Sequence, residues 1–213
     1  MTRVLLADDH AIIRDGVKQI LADTDDLVVA GEAANGAEAL KLIAAQDWDL
    51  LVLDISMPGK NGLELIKLIR QDKPRLPILI FSMHQEEQYA VRALRAGASG
   101  YLTKESDSAV LIAAMRKVAA GGVHVSEKVA QLLARGHMPS TDELPHTRLS
   151  DRELQIFEKI VAGVRLIDIA GELNLSIKTV STHKSRILQK MKLASDTDLV
   201  RYAIAKGLAT MPE

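Results

Sequence analysis

The chain has 213 residues, more than the commonest size of a single domain, which favours one domain of ordinary length followed by a smaller one. Hydrophobic residues make up 47% and aromatic residues only 3%, so a globular core must come from Leu, Ile, Val and Ala. The absence of cysteine excludes disulfides, thiolate metal sites and cysteine nucleophiles, and no apolar run approaches the ~18 residues of a membrane span. We expect a soluble, cytoplasmic protein.

The formal net charge of -1 conceals an uneven distribution of charge along the chain. Residues 1–122 carry more acidic than basic side chains, whereas residues 148–213 carry more basic ones. Within residues 176–192 every charged side chain is a Lys or an Arg. This helix-sized segment is a candidate surface for nucleic acid, although a basic helix face can also be merely solvated.

Short apolar runs alternate with amphipathic segments through the first 120 residues. The strand candidates are 4–7, 28–30, 50–53, 78–81 and 100–102, and apolar residues at helical spacing lie between them. The alternation predicts a doubly wound, five-stranded parallel sheet with helices on both faces and right-handed crossovers.

The pattern changes after Gly121 and Gly122. Residues 136–148 are rich in Pro, Ser and Thr and have little periodicity, which is typical of a linker. We therefore divide the chain into a first domain (1–121), a linker with a short helix over 126–134 (122–147) and a second domain (148–213). In the second domain only helices are predicted, over residues 151–162, 166–173, 177–191 and 196–206, the first starting at a Ser150–Glu153 capping box.

Acidic and basic side chains follow the predicted strands of the first domain. Asp8 and Asp9 follow the first strand, Asp54 the third, Ser82 the fourth and Lys104 the fifth. Because the carboxyl ends of parallel strands meet in one crevice, these side chains should converge. Close carboxylates repel unless a cation neutralises them, and oxygen ligands of this kind suit Mg2+.

Such a site can accept a phosphoryl group. Asp54 would be the nucleophile, with Mg2+ and Lys104 stabilising the charge on the phosphoryl oxygens. Ser82 would hydrogen-bond one of those oxygens after transfer.

The order of these motifs resembles the receiver domain of two-component signalling across nearly all of the first 120 residues. The resemblance rests on Asp8-Asp9, Asp54-Ile-Ser-Met-Pro-Gly-Lys-Asn-Gly, Phe81-Ser82 and Tyr101-Leu-Thr-Lys104. It implies a flavodoxin-like (CheY-like) fold in which Asp54 accepts phosphate from a sensor histidine kinase. It also implies that Asp9, Asp54 and the Ser56 carbonyl ligate Mg2+, that Asp8 assists through water, and that Ser82 and Tyr101 form a conformational switch.

The last 65 residues resemble a LuxR-type helix-turn-helix domain of four helices, through the stretches 149–154, 169–170, 175–188 and 190–193. With the receiver in front, the whole chain is similar to the NarL/FixJ response regulators. The third helix, capped by Ser176, would pack on the second across a tight turn at Asn174. This third helix is the predicted recognition helix.

The outer side of the recognition helix carries short hydroxyl side chains among cations, which suits entry into the DNA major groove. We assign Ser181, Thr182 and Ser185 to base edges. We assign mainly to phosphates Lys178, Thr179, His183, Lys184, Arg186 and Lys190. One such domain covers little DNA, so we expect a homodimer reading two promoter half-sites, with the fourth helix as a candidate interface.

These features predict a two-component response regulator, in which phosphorylation of Asp54 controls dimerisation, sequence-specific DNA binding and transcription, rather than an enzyme. One alternative is a phosphatase or phosphotransferase of the haloacid dehalogenase type, which usually carries Asp-x-Asp after the first strand; here the aspartates are adjacent. A second alternative is a receiver that ignores phosphate and acts as a protein-binding scaffold. The complete set of pocket residues disfavours it.

Overall fold

The computed structural model describes residues 1–57, 62–84, 86–135 and 144–208. The chain forms two compact units, Met1–Pro139 and Ser140–Glu213. Within the described ranges, no helix is both long enough and apolar enough to cross a bilayer.

The first unit is built on a five-stranded sheet in the order β2-β1-β3-β4-β5, with every neighbouring pair parallel. The strands are β1 (Thr2–Ala7), β2 (Leu27–Ala33), β3 (Leu50–Leu53), β4 (Ile78–Ser82) and β5 (Gly100–Thr103). This is the predicted doubly wound sheet, and its strand order is that of flavodoxin-like folds. The order changes direction beside β1 and β3, where such folds bind their ligands.

Helices cover both faces of this sheet. They are α1 (Ala11–Ala22), α2 (Gly36–Ala45), α3 (Gly62–Asp72), α4 (Glu86–Ala96) and α5 (Ser108–Ala119). The central strands β3 and β4 are buried along their whole length, because both of their faces are covered. On one face, Leu6, Val52 and Phe81 form a core with Val17 of α1 and Met115 of α5.

The chain after α5 stays on the first unit. His124 forms a parallel bridge to Gly100 at the edge of the sheet, and α6 (Glu127–Arg135) packs against α4. The short helix expected over 126–134 is therefore present. The proposed division into residues 1–121, 122–147 and 148–213 stays a prediction.

The second unit contains only helices. A 3-10 turn (Pro145–Arg148) precedes α7 (Asp151–Val161), α8 (Leu166–Glu172), α9 (Ile177–Met191) and α10 (Asp196–Ala205). The capping box is formed: the Ser150 hydroxyl accepts the Glu153 N–H, and the Glu153 carboxylate accepts the Ser150 N–H at 2.7 Å. Asn174, at the turn between α8 and α9, adopts a left-handed φ of 52°, which asparagine tolerates better than most residues.

Candidate functional sites: an acidic pocket and a basic helix

The acidic pocket lies at the carboxyl ends of β1, β3, β4 and β5. Asp8 follows β1, Asp54 follows β3, Ser82 ends β4 and Lys104 follows β5. Backbone hydrogen bonds between neighbouring strands hold these ends in register: the Asp54 N–H donates to the Ala7 carbonyl at 2.8 Å, and the Lys104 N–H to the Ser82 carbonyl at 2.9 Å. The parallel register therefore brings together four side chains that are far apart in the sequence.

Lys104 neutralises the two most deeply placed carboxylates. Its Nζ lies 2.6 Å from Asp8 Oδ2 and 2.6 Å from Asp54 Oδ2, and all three side chains are at most 2% exposed. Burial lowers the pKa of Lys104, but its hydrogen bonds to Asp54 and Asp8, with their charges, outweigh burial and raise that pKa above its usual value. The ammonium therefore stays charged between the two acids.

The pocket offers donors that fit a divalent metal ion. Asp8, Asp9, His10 and Asp54 each present one ligand atom, and these atoms lie within 4.8 Å of one another. The buried carboxylates of Asp8 and Asp54, with the more exposed one of Asp9, suit Mg2+, which prefers oxygen ligands and keeps several waters when it binds. His10 was not among the residues predicted from the sequence; its Nδ1 lies 3.2 Å from Asp8 Oδ1 and 3.1 Å from Asp9 Oδ1. Its position directly after the Asp-Asp pair was the available signal.

Ser82 and Tyr101 are connected through the start of the segment that follows β4. The Ser82 hydroxyl is buried, lies 3.3 Å from the Ser56 hydroxyl and accepts the His84 N–H at 3.4 Å. The Tyr101 ring is fully buried, and its hydroxyl donates to the His84 carbonyl at 2.9 Å. The Ser56 N–H donates a hydrogen bond to Asp54 Oδ1 at 2.8 Å. The backbone of His84 thus contacts both residues of the predicted switch pair.

The predicted recognition helix, α9, begins where its cap was expected. The Ser176 hydroxyl accepts the Thr179 N–H at 3.0 Å, which satisfies one of the free amides at the helix start. Val180, Ile187 and Met191 face inward and are buried. The turn before the helix is closed by the Leu175 N–H, which donates to the Ala170 carbonyl at 2.8 Å.

The residues assigned to DNA differ in exposure. Exposed are Lys178, Thr182, Ser185, Arg186 and Lys190, whereas Thr179, Ser181, His183 and Lys184 are partly buried. The Thr182 hydroxyl donates to the Lys178 carbonyl at 2.9 Å, and the Ser185 hydroxyl to the Ser181 carbonyl at 3.1 Å. These are local bonds within the helix, which a base edge can replace.

Two of the helix cations already have acidic partners. Lys190 Nζ lies 2.6 Å from Oε2 of Glu153, a buried residue of α7, and Lys184 Nζ lies 2.5 Å from Asp196 Oδ2. Burial raises the pKa of Glu153, but the hydrogen bonds from Lys190 and Ser150 outweigh it, so the pKa lies below its usual value. In the described residues Lys178 and Arg186 form no ion pair, so no acidic side chain neutralises their charges; their phosphate contacts stay predictions.

His183 is turned toward the interior of the second unit. Its Nδ1 is buried and has no hydrogen-bond partner in the described residues. Burial lowers the pKa of His183, with nearby Arg186 and Arg152 adding to the effect and Glu153 opposing it. This ring nitrogen is therefore not presented to solvent, and a phosphate contact from His183 stays a prediction.

A flavodoxin-like domain with this pocket, followed by a helix-turn-helix, defines the class of phosphorylation-controlled transcription regulators. Comparison with protein families agrees with that class for both parts of the chain. Residues 4–116 match the response regulator receiver domain, and residues 147–203 match the bacterial regulatory proteins of the luxR family. The chain belongs to the NarL/FixJ family of two-component response regulators.

Individual proteins resemble this chain over nearly its full length. Response regulator GacA of Pseudomonas viridiflava is 37% identical over 98% of each chain. RcsB from Salmonella enterica serovar Typhimurium, bound to promoter rprA with the phosphomimetic BeF3−, is 26% identical over 95% of this chain and 98% of its own, with a TM-score of 0.69. A structure of two RcsB dimers on two parallel DNAs is 27% identical over 94% and 96%, with a TM-score of 0.58.

Proposed function

We propose that Asp54 accepts a phosphoryl group from a sensor histidine kinase and that this modification controls DNA binding by α9. The observation that carries the proposal is Lys104 Nζ at 2.6 Å from both Asp54 and Asp8 in a pocket at the carboxyl edge of the sheet. A receiver domain indicates a histidine kinase as phosphodonor. A buried, lysine-neutralised aspartate beside acidic ligands is suited to hold a dianionic group.

Each pocket residue has a proposed role in the transfer. The Asp54 carboxylate attacks phosphorus, so that a P–O bond forms as the bond to the donor histidine nitrogen breaks. Lys104 stays protonated and places its charge beside the transferred oxygens. Asp8, Asp9, Asp54 and the Ser56 carbonyl would hold Mg2+, which when bound supplies positive charge to the phosphoryl oxygens.

The switch follows from the contacts of His84. Ser82 moves its hydroxyl from Ser56 and the His84 N–H to a phosphoryl oxygen. Tyr101, which packs inward and donates to the His84 carbonyl, keeps the same segment in place behind it. We propose that the phosphorylated and unphosphorylated forms differ in this set of bonds, since an equilibrium shifts only when contacts differ between two states.

The second unit supplies the DNA contacts in this proposal. Helix α9 enters the major groove, with Ser181, Thr182 and Ser185 at base edges. The remaining assigned residues, Lys178, Thr179, His183, Lys184, Arg186 and Lys190, contact mainly phosphates. The exposed hydroxyls and cations of α9 support this arrangement, as does the likeness to RcsB bound to promoter DNA.

We propose a homodimer on DNA. RcsB, which is similar over most of both chains, is described as dimers on DNA. The exposed face of α10 has a shallow apolar surface made by Val200, Ile204 and the side chains beside them. Two copies related by a two-fold axis would read two half-sites about one DNA turn apart.

The first experiment tests whether Asp54 is the residue that accepts the phosphoryl group. Full-length protein is incubated with Mg2+ and a small phosphodonor such as acetyl phosphate, and intact-mass spectrometry follows the gain of one phosphoryl group. Asp54→Asn should abolish the gain, whereas Asp72→Asn, an exposed aspartate at the end of α3, should retain it. A wild-type mass gain that persists in Asp54→Asn contradicts the proposal.

The second experiment tests whether the acidic pocket controls DNA binding. A duplex is selected from a random-sequence pool by the wild-type protein with Mg2+ and BeF3−, and its affinity is measured with and without BeF3−. BeF3− should tighten binding by the wild type and leave Asp54→Asn unchanged. Equal affinities for the wild type in the two conditions contradict control by the pocket.

A further inference from the structure

The recognition helix begins with an exposed isoleucine. Ile177, the first residue of α9, is 49% exposed, whereas Val180, Ile187 and Met191 of the same helix are buried. The helix thus supplies other apolar side chains to the core, and Ile177 is left at the surface. Single exposed apolar residues are common in proteins, so the position of Ile177 on the helix decides what it can contact.

Ile177 lies in the same row of the helix surface as two of the hydroxyls assigned to base edges. Residues four apart in an α-helix are neighbours, so Ile177, Ser181 and Ser185 form one row along α9. Ser185 is exposed and Ser181 is partly exposed. A groove that receives these two serines therefore also receives Ile177, and the N-terminal residues of a recognition helix are the ones that contact base edges.

The cap of α9 restricts the motion of Ile177. The Ser176 hydroxyl accepts the Thr179 N–H at 3.0 Å and lies 2.8 Å from the Thr179 hydroxyl. These bonds fix the helical turn that carries Ile177, and branching at Cβ leaves an isoleucine one strongly preferred χ1 rotamer in a helix. A side chain that is already ordered loses little conformational entropy when it binds, so Ile177 is suited to a specific contact.

The charges beside Ile177 suit the approach of DNA. The first turn of α9 contains no acid and carries Lys178, whereas the first turns of α7 and α10 each carry two acidic side chains. The helix dipole opposes a lysine at this end of a helix, so the turn is not arranged for the stability of α9 itself. The same charge is favourable beside a DNA phosphate, and a phosphate on Lys178 brings the edge of a groove close to Ile177.

We infer that Ile177 contacts the C5 methyl group of a thymine in each promoter half-site and so contributes to the choice of DNA sequence. The inference rests on the proposed function of α9. Among the four bases, thymine presents an apolar group in the major groove. Contact between that methyl group and Ile177 removes apolar surface of both from water, whereas cytosine in its place offers an amino group that isoleucine cannot hydrogen-bond.

Deoxyuridine substitution in the selected duplex tests the methyl contact. Each thymidine is replaced in turn by deoxyuridine, which removes the C5 methyl group and keeps every hydrogen-bonding group of the base. The Kd of the full-length protein is measured with Mg2+ and BeF3− present. It should rise about fourfold for one thymine of each half-site, the effect of losing one buried methyl group. Thymines outside that position should respond little.

Ile177→Ala gives the matched variant, because it shortens the side chain, leaves the Ser176 cap in place and introduces a good helix former. For this variant the thymidine and deoxyuridine duplexes should have equal Kd. Ile167→Ala serves as the control, since Ile167 is an exposed isoleucine of the neighbouring helix α8. It should keep the wild-type difference between the two duplexes.

Three results overturn the inference and leave the proposed function in place. In the first, BeF3− tightens binding by the wild type, but no thymine of the duplex responds to deoxyuridine. In the second, one thymine responds equally in the wild type and in Ile177→Ala, so that another side chain contacts its methyl group. In the third, Ile167→Ala abolishes the difference as well. If the wild type binds no duplex, with or without BeF3−, the proposed function fails and the inference fails with it.

Discussion

The acidic pocket and the recognition helix use lysine in opposite ways. The side chain of Lys104 is 2% exposed and is held by two buried carboxylates, whereas that of Lys190 is 42% exposed and has one acidic partner. A buried cation between acids fixes geometry, and its removal leaves charge without compensation. An exposed cation contributes little to stability and can exchange its partner for a phosphate. We therefore expect the lysine of the acidic pocket to keep its two carboxylate partners, and the lysines of α9 to exchange their acidic partners for DNA phosphates.

The largest expected effect comes from Lys104→Met, which removes the buried cation and keeps the side-chain volume. The Asp8 and Asp54 carboxylates then face each other without compensation, which should lower the free energy of unfolding of the first unit by about 3 to 5 kcal/mol. Urea unfolding followed by the fluorescence of Trp48, the one tryptophan of the chain, measures this unit. Mg2+ should restore part of the loss by binding the same carboxylates.

Lys41→Met, at an exposed position of α2, serves as the matched control and should change stability little. If the two variants lose equal stability, the contrast between buried and exposed lysines fails. If Mg2+ stabilises the wild type and not Lys104→Met, the carboxylates are not the shared ligand set.

A smaller effect is expected at Glu153, the buried acid of the second unit. Glu153→Gln weakens the capping box and the ion pair with Lys190, which should cost about 2 kcal/mol at neutral pH. The folded pKa of Glu153 lies below its unfolded value, so its contribution is full above that unfolded value and is lost as the pH falls through the folded pKa. Calorimetry of the full chain should show the difference between the wild type and Glu153→Gln beginning to shrink as the pH falls below about 4.3, the unfolded pKa of a glutamate, and vanishing below the folded pKa.

If the stability difference between the wild type and Glu153→Gln persists unchanged at lower pH, the ionised carboxylate of Glu153 is not its source. Gln155→Glu is not a suitable control, since Arg152 donates to Gln155 Oε1 at 2.7 Å. Glu172→Gln, at the exposed end of α8, removes a carboxylate that pairs with Lys159 at the surface, and so tests whether the loss of an exposed ion pair has the same effect.

Strand ends and helix caps made much of this molecule predictable from its sequence. Five apolar runs in a parallel sheet require that their carboxyl ends share one edge, which is why Asp8, Asp54 and Lys104 were expected together. Ser150 and Ser176 marked the starts of α7 and α9 because a hydroxyl at that position satisfies a free backbone amide. The roles given to these residues in phosphoryl transfer and DNA binding stay predictions.

The features that the sequence did not reveal depend on backbone pairing or on distant partners. The pairing of His124 with Ser99 and Tyr101 uses main-chain groups, which carry no side-chain signature. His146 lies in the stretch that composition assigns to a linker, yet it is buried, and its Nδ1 lies 2.8 Å from the hydroxyl of Tyr202 in α10, 56 positions further along the chain. Local pattern cannot specify which distant side chain fills such a position.

The smallest expected effect is a difference in the salt dependence of DNA binding between α9 variants that lose an unpaired cation and variants that lose a cation in an ion pair. The measured quantity is the slope of log Kd against the logarithm of the salt concentration. Lys178→Ala should reduce this slope by about 0.9, the value for one neutralised phosphate. Lys184→Ala should lower it by less, because the Lys184 ammonium is held by Asp196 and must leave it to reach DNA. The measurement is Kd for the selected duplex across a range of salt concentrations, with BeF3− present throughout.

Asp196→Asn completes this test by freeing Lys184 without removing it. The salt dependence should then become steeper than in the wild type, since one more cation is available to displace counterions from DNA. Equal reductions for Lys178→Ala and Lys184→Ala, with no change for Asp196→Asn, would show that the ion pair with Asp196 has no influence on DNA binding. The ion pairs of α9 would then not indicate which of its cations bind DNA phosphates. The proposal that these cations exchange acidic partners for phosphates would be wrong.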